Sequence, residues 1–181
     1  MLEELEARYT DSARQLSGAR KNAAVKFGRE ITRAMQTLGM AGGMFEVAVA
    51  ARSNESFSAH GVDSIEFRVS ANKGLPVQPL AKVASGGELS RISLSIQVIS
   101  AGSDTTPTMI FDEVDSGIGG GVAEIVGQKL RALGADRQVL CVTHLPQVAA
   151  LSNHEMHVSN MAGEDTTNSR IRPVDDGERI D

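Results

Sequence analysis

The sequence predicts an α/β protein in which a mostly parallel sheet is flanked by helices and preceded by one long helix. Three patterns in the 181 residues support this prediction. Apolar residues spaced three and four apart run through residues 1–38, apolar and polar residues alternate near 45–49 and 65–69, and short apolar runs then alternate with amphipathic segments. At this length the chain suits one domain or a sizeable part of one, since domains run to about 100–200 residues.

The first predicted element is a helix over residues 1–38, which ends at Gly39. The helix begins without a capping residue, and helices of this length depend on a partner along their apolar stripe. We therefore expect residues 1–38 to be the end of a coiled-coil arm. Between Arg14 and Arg33 the helix carries six basic residues and one acid, Glu30. A solvated helix face explains this charge more simply than the alternative, a contact with the DNA backbone.

Two half-buried strands are expected next, because Phe45 to Val49 and Ile65 to Val69 alternate with small or polar residues. We expect these strands to pair antiparallel. After Pro79 the pattern of apolar strands and amphipathic helices is typical of βαβ units and a parallel sheet. The elements expected there are a helix over 87–99, a strand over 108–111, a helix over 121–133, a strand over 138–143, a further strand at 154–159 and a polar loop at 161–168.

Composition excludes several classes of protein. Basic and acidic residues give 18 − 23 = −5, which argues against a chain coated in positive charge. No stretch approaches the roughly 20 apolar residues of a membrane span, so we expect a cytoplasmic protein without a membrane partner. Cys141 is the only cysteine and lies among apolar residues, which favours a buried strand thiol over a reactive one.

The first candidate site is the start of the helix expected near residue 87. Ser85 and Glu88 have the S-x-x-E spacing of a capping box, in which each side chain satisfies a backbone donor of the first turn. Capping does not explain Gly86 and Gly87, because a glycine within a helix costs about 1 kcal/mol relative to alanine. Bare amides at a helix start can also bind phosphate. Capping and phosphate binding are equally well supported by these residues alone.

Two adjacent carboxylates follow the apolar strand over 108–111. Asp112 and Glu113 would emerge at the carboxyl edge of a parallel sheet, where ligands bind in such folds. Magnesium takes few protein carboxylates and keeps waters and phosphate oxygens, which suits Asp112 as a ligand. Glu113 could then orient or deprotonate an attacking water. The alternative is a strand that ends in solvated acids at a turn.

A histidine follows the second apolar strand in the same way. His144 comes directly after Val139 to Thr143, so it should share the sheet edge with Asp112 and Glu113. A lone histidine is more often structural, but a neutral imidazole in this crevice could bond a terminal phosphate or the attacking water. The glycines between Gly117 and Gly121 match a dinucleotide-binding fingerprint poorly, and a flexible turn around them is the better interpretation.

Taken in order, four motifs resemble those of ABC-type ATPases. They are SGGE at 85–88, MIFDE at 109–113, VDSG at 114–117 and THLPQVA at 143–149, which correspond to the signature, Walker B, D-loop and switch-histidine motifs. Within that superfamily the sequence most resembles the RecN family of bacterial SMC-like DNA-repair ATPases. The long first helix resembles the returning arm of the RecN coiled coil. Glu88 stands where transporter subunits commonly have glutamine, which disfavours an ABC transporter subunit.

The resemblance implies a role for each matched residue. Asp112 would bind Mg²⁺, Glu113 would act as the catalytic base, and His144 would sense the γ-phosphate of ATP. Asp115 and Gly117 would belong to the D-loop. The signature residues Ser85, Gly86, Gly87 and Glu88 would contact the ATP held by the opposite head of an ATP-bridged homodimer.

One departure from the family pattern limits what this chain can do alone. The sequence contains no G-x-x-x-x-G-K-[ST] loop, whose amides and lysine hold the phosphates. The resemblance therefore implies that residues 1–38 end a coiled-coil arm and that residues 39–181 are the C-terminal lobe of an ATPase head. We expect this chain to be inactive without the N-terminal half of the same head, which carries the Walker A loop.

The resemblance also implies a function in DNA double-strand-break repair and recombination, with DNA as a partner and the nucleoid as the location. Two other functions stay open. One is a non-catalytic coiled-coil module that contacts DNA or a protein through the first helix, with Arg20, Lys21 and Lys26 in the contact. The other is a fragment of a transporter ATPase.

Overall fold

The computed structural model describes residues 1–52, 57–83, 85–100, 106–162 and 167–175. Within these ranges the chain forms four α-helices, one short 3-10 helix and seven strands. In chain order they are α1 (Leu2–Thr37), β1 (Met44–Ala51), β2 (Asp63–Ser70), β3 (Gln78–Pro79), the 3-10 helix (Leu80–Lys82), α2 (Gly86–Ser100), β4 (Thr108–Phe111), α3 (Gly120–Leu133), β5 (Gln138–Cys141), α4 (Pro146–Ala149), β6 (Met156–Ala162) and β7 (Thr167–Pro173).

Helix α1 packs closely on the antiparallel hairpin of β1 and β2. Phe45 of β1 donates its backbone N–H to Oγ1 of Thr32 at 2.9 Å. A Cβ placed on Gly28 would lie 3.1 Å from the carbonyl oxygen of Phe45, so glycine allows the helix and strand backbones to approach each other here. Phe45 lies opposite Val69 of β2, and both side chains are buried. The antiparallel pairing predicted from the alternating pattern is confirmed.

The hydrophobic core joins the end of α1 to α2 and to the sheets. Ile31 and Met35 of α1 are fully buried, as are Ile92 and Leu94 of α2. All four belong to one cluster of buried residues that also includes side chains of β1, β2, β4 and α3. The last two turns of the predicted arm therefore lie inside the packed body of the protein. The predicted boundary at residue 38 stays a prediction.

Strands β4 and β5 form the parallel sheet that the βαβ pattern predicted, with α3 as the crossover. The register runs from Thr108 opposite Gln138 to Phe111 opposite Cys141. Among the described residues parallel pairing is limited to these two strands, and the other two sheets are antiparallel. The α/β class is confirmed, but the sheet is not mostly parallel. Strands β4 and β5 are linked by the crossover helix α3, which allows them to pair parallel. The paired strands of the other two sheets follow each other closely in sequence and pair antiparallel.

Strands β6 and β7 form an antiparallel hairpin, of which the sequence predicts only the first strand. The polar loop expected at 161–168 is shorter, since β6 continues to Ala162 and β7 begins at Thr167; residues 163–166 lie outside the described residues. Val158 lies opposite Ile171, and Met156 lies on the same face. All three side chains are more than half exposed, so this apolar face is open to solvent.

The other elements expected from the sequence are present with ends that differ by up to two residues. Helix α1 ends at Thr37 and β4 has the predicted bounds of residues 108–111. None of the helices in the described ranges is long and apolar enough to cross a membrane.

Candidate functional site

Helix α2 begins at Gly86 with Ser85 as its capping residue. The Oγ of Ser85 accepts a hydrogen bond of 3.3 Å from the backbone N–H of Glu88, and its carbonyl accepts one of 3.0 Å from Leu89. This is the serine half of the predicted capping box. Two hydrogen bonds to Ser85 therefore fix the first turn of α2, where the motif at residues 85–88 lies.

The residues after β4 form a tight turn, here called the acid turn, which comprises residues 112–117. The carbonyl of Glu113 accepts a hydrogen bond of 3.0 Å from the N–H of Ser116. Glu113 has φ of 57°, in the left-handed region that residues other than glycine rarely adopt. Such a conformation costs on the order of 1–3 kcal/mol and persists only where surrounding contacts impose it. Asp112 and Glu113 are both exposed, so both carboxylates are open to a ligand or to water.

The first two turns of α2 lie directly against the acid turn. A Cβ placed on Gly86 would overlap Oε2 of Glu113, and one placed on Gly87 would lie 2.8 Å from the Cβ of Ser116. Ser90 donates its hydroxyl to the carbonyl of Asp112 at 2.6 Å. The two glycines are therefore explained by a close approach within the chain itself, since a larger side chain would meet the acid turn.

Arg91 holds the other end of the acid turn. Its guanidinium donates a hydrogen bond of 2.6 Å to the carbonyl of Ser116, and the side chain is 6% exposed. Burial lowers the pKa of Arg91, and nearby Glu88 partly opposes this effect. Arg91 and Ser90 are residues that sequence reasoning missed, because a serine and an arginine in an amphipathic helix are usually solvated. Their spacing from Gly86 and Gly87, one helical turn later, is the signal that points to them.

The residues after β5 reach the same sheet edge. Val142 donates its N–H to the carbonyl of Phe111 at 2.9 Å, so the parallel pairing continues past the end of both strands. Thr143, His144 and Leu145, here called the switch segment, follow directly. His144 has a side chain that is 69% exposed. The expectation that His144 shares an edge with Asp112 and Glu113 agrees with this geometry.

Asp115 joins the acid turn to the switch segment. The carboxylate is 1% exposed, and its Oδ2 accepts hydrogen bonds from the hydroxyl of Thr143 and, at 3.1 Å, from the backbone N–H of His144. Nδ1 of His144 lies 3.5 Å from the same oxygen. Asp115 is therefore buried and hydrogen-bonded within this chain, and its assignment to a D-loop stays a prediction.

Cys141 lies at the end of β5, behind the switch segment. Burial, together with the negative charges of Asp115 and Asp112, raises the pKa of its thiol to about 11. A thiol with such a pKa is not a nucleophile at neutral pH. This agrees with the prediction that Cys141 is not a reactive thiol, although the residue is half-buried and not fully buried.

The donor groups at the edge suit a cation only in part. In the described part of the chain no group of three or more His, Cys, Asp or Glu side chains could hold a metal ion. Asp112 offers one exposed carboxylate, and magnesium commonly takes one or two carboxylates with water and phosphate oxygens. Asp112 therefore fits Mg²⁺ as one ligand among others that a nucleotide and water would supply.

The structure thus brings together most of the residues that the motifs single out. The signature residues 85–88 adjoin the acid turn, and the acid turn adjoins His144 through Asp115. Gly117 ends the acid turn with φ of 73°, and a Cβ there would meet no atom within 4 Å. The glycine is therefore required by its backbone conformation and not by a close neighbour.

Comparison with known proteins finds relatives that are DNA repair proteins, while no family model matches the chain. The DNA repair protein RecN of Xylella fastidiosa strain 9a5c is 47% identical over 172 residues, which are 95% of this chain and 31% of that relative. RecN of Vibrio cholerae is 45% identical over 172 residues, again 95% of this chain and 31% of the relative. RecN of Bacillus subtilis strain 168 is 35% identical over 181 residues, 93% of this chain and 31% of the relative.

Solved structures with a similar fold include SMC heads. The Smc head domain with a coiled coil and joint from Pyrococcus yayanosii has a TM-score of 0.61 at 17% identity, covering 89% of this chain and 28% of that chain. A structure from work on ATP-driven dimerisation and DNA-stimulated activation of SMC ATPases has a TM-score of 0.52 at 15% identity, covering 90% of this chain and 91% of that chain. These likenesses show an SMC-head fold. The resemblance is confirmed: the chain belongs to the RecN family and spans about three tenths of the length of the curated relatives it matches.

Proposed function

We propose that this chain is the C-terminal part of a RecN ATPase head and supplies half of an ATP-hydrolysing site. The observation that carries the proposal is the meeting of three motifs at one edge: α2 packs on the acid turn, and the acid turn bonds to the switch segment. The proposed role in repair of DNA double-strand breaks rests on the relatives, which are DNA repair proteins.

In this proposal the chain's own residues divide the work as follows. Asp112 contributes one oxygen ligand to Mg²⁺, which when bound would neutralise charge on the phosphates of ATP. Glu113 accepts a proton from the attacking water, since its carboxylate is exposed in the turn that follows β4. His144 lies at the same edge of the sheet, and most of its side chain is exposed to solvent.

The N-terminal half of the head is the first partner that the proposal requires. The chain lacks the phosphate-binding lysine loop. On β4 and β5, Ile110 is 71% exposed, Leu140 48% and Val142 62%, and Ile110 and Leu140 lie opposite each other. An apolar sheet face of this kind normally lies against another layer. The missing half of the head is its proposed cover.

The second partner is another head. Gly86 and Gly87 at the start of α2 lie against the acid turn, so the proposed contact of residues 85–88 with ATP on an opposite head would form on the same surface as Glu113. Dimerisation driven by ATP is described for the SMC ATPases of similar fold. A cytoplasmic, nucleoid-associated location is part of the same proposal.

The experiment is reconstitution of the complete head. The chain is co-expressed with the remaining RecN sequence, either from its own gene or from the Xylella fastidiosa relative, and ATP hydrolysis is measured with and without Mg²⁺. We expect Mg²⁺-dependent turnover from the complex and none from the 181-residue chain alone. Glu113→Gln should lower kcat by about 10²–10⁴-fold while ATP binding persists, as loss of a general base does.

Glu46→Gln is the matched control, because Glu46 is an exposed glutamate on β1, away from the acid turn. Its kcat should equal that of the unmodified complex. Turnover that is indifferent to Glu113→Gln would contradict the assignment of the base.

The alternative of a DNA-contacting arm is favoured by one observation. Lys21, Lys26, Arg29 and Arg33 are exposed on α1. Arg20 is less available for a contact with DNA, because its guanidinium binds the carboxylate of Asp63 at 3.1 Å. Salt-sensitive DNA binding that is lost in Lys21→Ala/Lys26→Ala, without any ATPase activity in the reconstituted head, would favour this function instead.

A further inference from the structure

The acid turn places its proposed catalytic glutamate in an uncommon backbone conformation. Glu113 has φ of 57°, whereas a residue with a long side chain normally has a negative φ. The torsion angles of Glu113 relate two rigid peptide planes, one shared with Asp112 and one shared with Val114. Contacts that fix these two planes therefore also fix the direction in which the Glu113 side chain leaves the backbone.

Each of the two planes is held through its carbonyl group. The carbonyl of Glu113 accepts a hydrogen bond of 3.0 Å from the N–H of Ser116, which closes the turn through the backbone. The carbonyl of Asp112 accepts a hydrogen bond of 2.6 Å from the hydroxyl of Ser90. The plane on the N-terminal side of Glu113 is therefore held by a side chain of α2 and not by the turn itself.

Without the Ser90 hydroxyl, the plane between Asp112 and Glu113 could turn over on its own. The preceding carbonyl, that of Phe111, accepts a hydrogen bond of 2.9 Å from Val142 and would stay in place. A peptide plane that turns over exchanges a positive φ of the following residue for a negative one, which is the difference between type II and type I turns. Since a glutamate favours the negative value, Ser90 opposes a relaxation that the backbone favours.

We propose that Ser90 is a positioning residue for Glu113. Its hydroxyl keeps the plane between Asp112 and Glu113 in the orientation that gives Glu113 a positive φ, and in this way it directs the Glu113 carboxylate. The consequence for hydrolysis rests on the proposed function, in which Glu113 accepts a proton from the attacking water. Position matters for such a base, since a misplacement of about 1 Å can lower a rate by about 10²-fold.

The conformational test is NMR on the 181-residue chain. A positive φ brings the amide and α hydrogens of one residue close together, so Glu113 should give a strong nuclear Overhauser effect between them. Ser90→Ala should weaken this signal, and Ser90→Thr, which keeps a hydroxyl, should preserve it. Ser95→Ala is the matched control, because the Ser95 hydroxyl bonds the carbonyl of Arg91 within α2 at 2.9 Å and its loss should leave the Glu113 signal unchanged.

A weak signal from Glu113 in the unmodified chain would overturn the proposal, and so would a strong signal that persists in Ser90→Ala. If Ser90→Ala does not fold, Ser90→Cys replaces it in the same comparison. A thiol is close to a hydroxyl in size but is a weak donor, so Ser90→Cys should also weaken the signal.

The catalytic test uses the reconstituted head. Ser90→Ala should lower kcat at least about tenfold with KM for ATP unchanged, because the base is displaced. Ser90→Thr should restore kcat, and Ser95→Ala should leave it unchanged. In a Glu113→Gln head, adding Ser90→Ala should cause no further loss, since Ser90 acts through Glu113.

An unchanged kcat in Ser90→Ala would overturn the positioning role, and so would a further loss of the same size in the double variant. A head that shows no turnover even with the unmodified sequence contradicts the proposed function and leaves the NMR result standing.

Discussion

Gly86 at the start of α2 and Glu113 in the acid turn lie so close that a Cβ on Gly86 would overlap Oε2 of Glu113. The neighbouring glycine differs in what it touches, since Gly87 lies against the Cβ and the carbonyl oxygen of Ser116. The end of a glutamate side chain can rotate away, but a turn backbone cannot. Gly86 and Gly87 should therefore respond differently to the same substitution.

Gly86→Ala should lower kcat of the reconstituted head at least about tenfold while leaving stability nearly unchanged, because it displaces only the carboxylate of Glu113. Gly87→Ala should also destabilise the chain, by about 1–3 kcal/mol, because the backbone of Ser116 must move. Urea unfolding and ATPase rates separate the two effects. Gly121→Ala is the control, since a Cβ there meets no atom within 4 Å. Equal stability losses for Gly86→Ala and Gly87→Ala would contradict the packing described here.

Arg91→Met should destabilise the chain by about 1–3 kcal/mol. The substitution keeps much of the side-chain volume but leaves the carbonyl of Ser116 without the 2.6 Å hydrogen bond. Arg131→Met is the matched control on α3, because Arg131 is exposed and should change the free energy of unfolding by less than about 0.5 kcal/mol. If both variants unfold at the same urea concentration, Arg91 does not hold the acid turn.

Stability at acid pH should depend on Asp63. A hydrogen bond from Ser17 lowers the pKa of Asp63, burial opposes it, and Arg20 adds to the lowering. A carboxyl with a lowered folded pKa contributes stability above its ordinary value of 3.8, and this contribution is lost as the pH falls below that value. Asp63→Asn should therefore flatten the loss of stability below about pH 4, as followed by the thermal midpoint.

Asp11→Asn is the control for Asp63, because the Asp11–Arg14 pair is mostly exposed and its loss should leave the acid profile unchanged. The same contacts make Arg20 structural. Arg20→Ala should lower the thermal midpoint, whereas Lys26→Ala should not. Identical acid profiles for the unmodified chain and Asp63→Asn would disprove this role.

Cys141 should resist alkylation in the folded chain. Its pKa is raised from 9.0 to about 11, so the thiolate fraction near pH 8 is about a hundredfold lower than in the unfolded chain. Iodoacetamide should therefore label Cys141 about a hundredfold faster after urea unfolding. Because the folded pKa lies above the unfolded one, this thiol contributes stability below pH 9.0 that is lost as the pH rises through about 11. Fast labelling of the folded chain would contradict the burial of the thiol.

Sequence periodicity predicted the elements that bury an apolar face. Strand β4 has its predicted bounds, and α1 differs from its prediction by one residue at each end, because both present a regular apolar pattern to the core. Strand β7 was missed for the opposite reason. Its residues alternate around exposed Ile171 and pair with β6 instead of the core, so no buried stripe marks it.

The candidate site was predicted in position but not in its internal contacts. Adjacent acids and a histidine after two apolar strands indicated a shared edge, which follows from parallel pairing. The burial of Asp115 could not be read from its neighbours Ser116 and Gly117, which are typical of a solvated turn. Its partners lie in a separate strand end and become visible only once β4 and β5 are paired.

Helix α1 is continuous for 36 residues, about 54 Å at 1.5 Å per residue, and its last turns pack with Ile92 and Leu94 of α2. Ile92 directly follows Ser90 and Arg91 in α2, and these two residues donate hydrogen bonds to the acid turn. A pull or twist applied along α1 would therefore arrive at Glu113 as a small displacement.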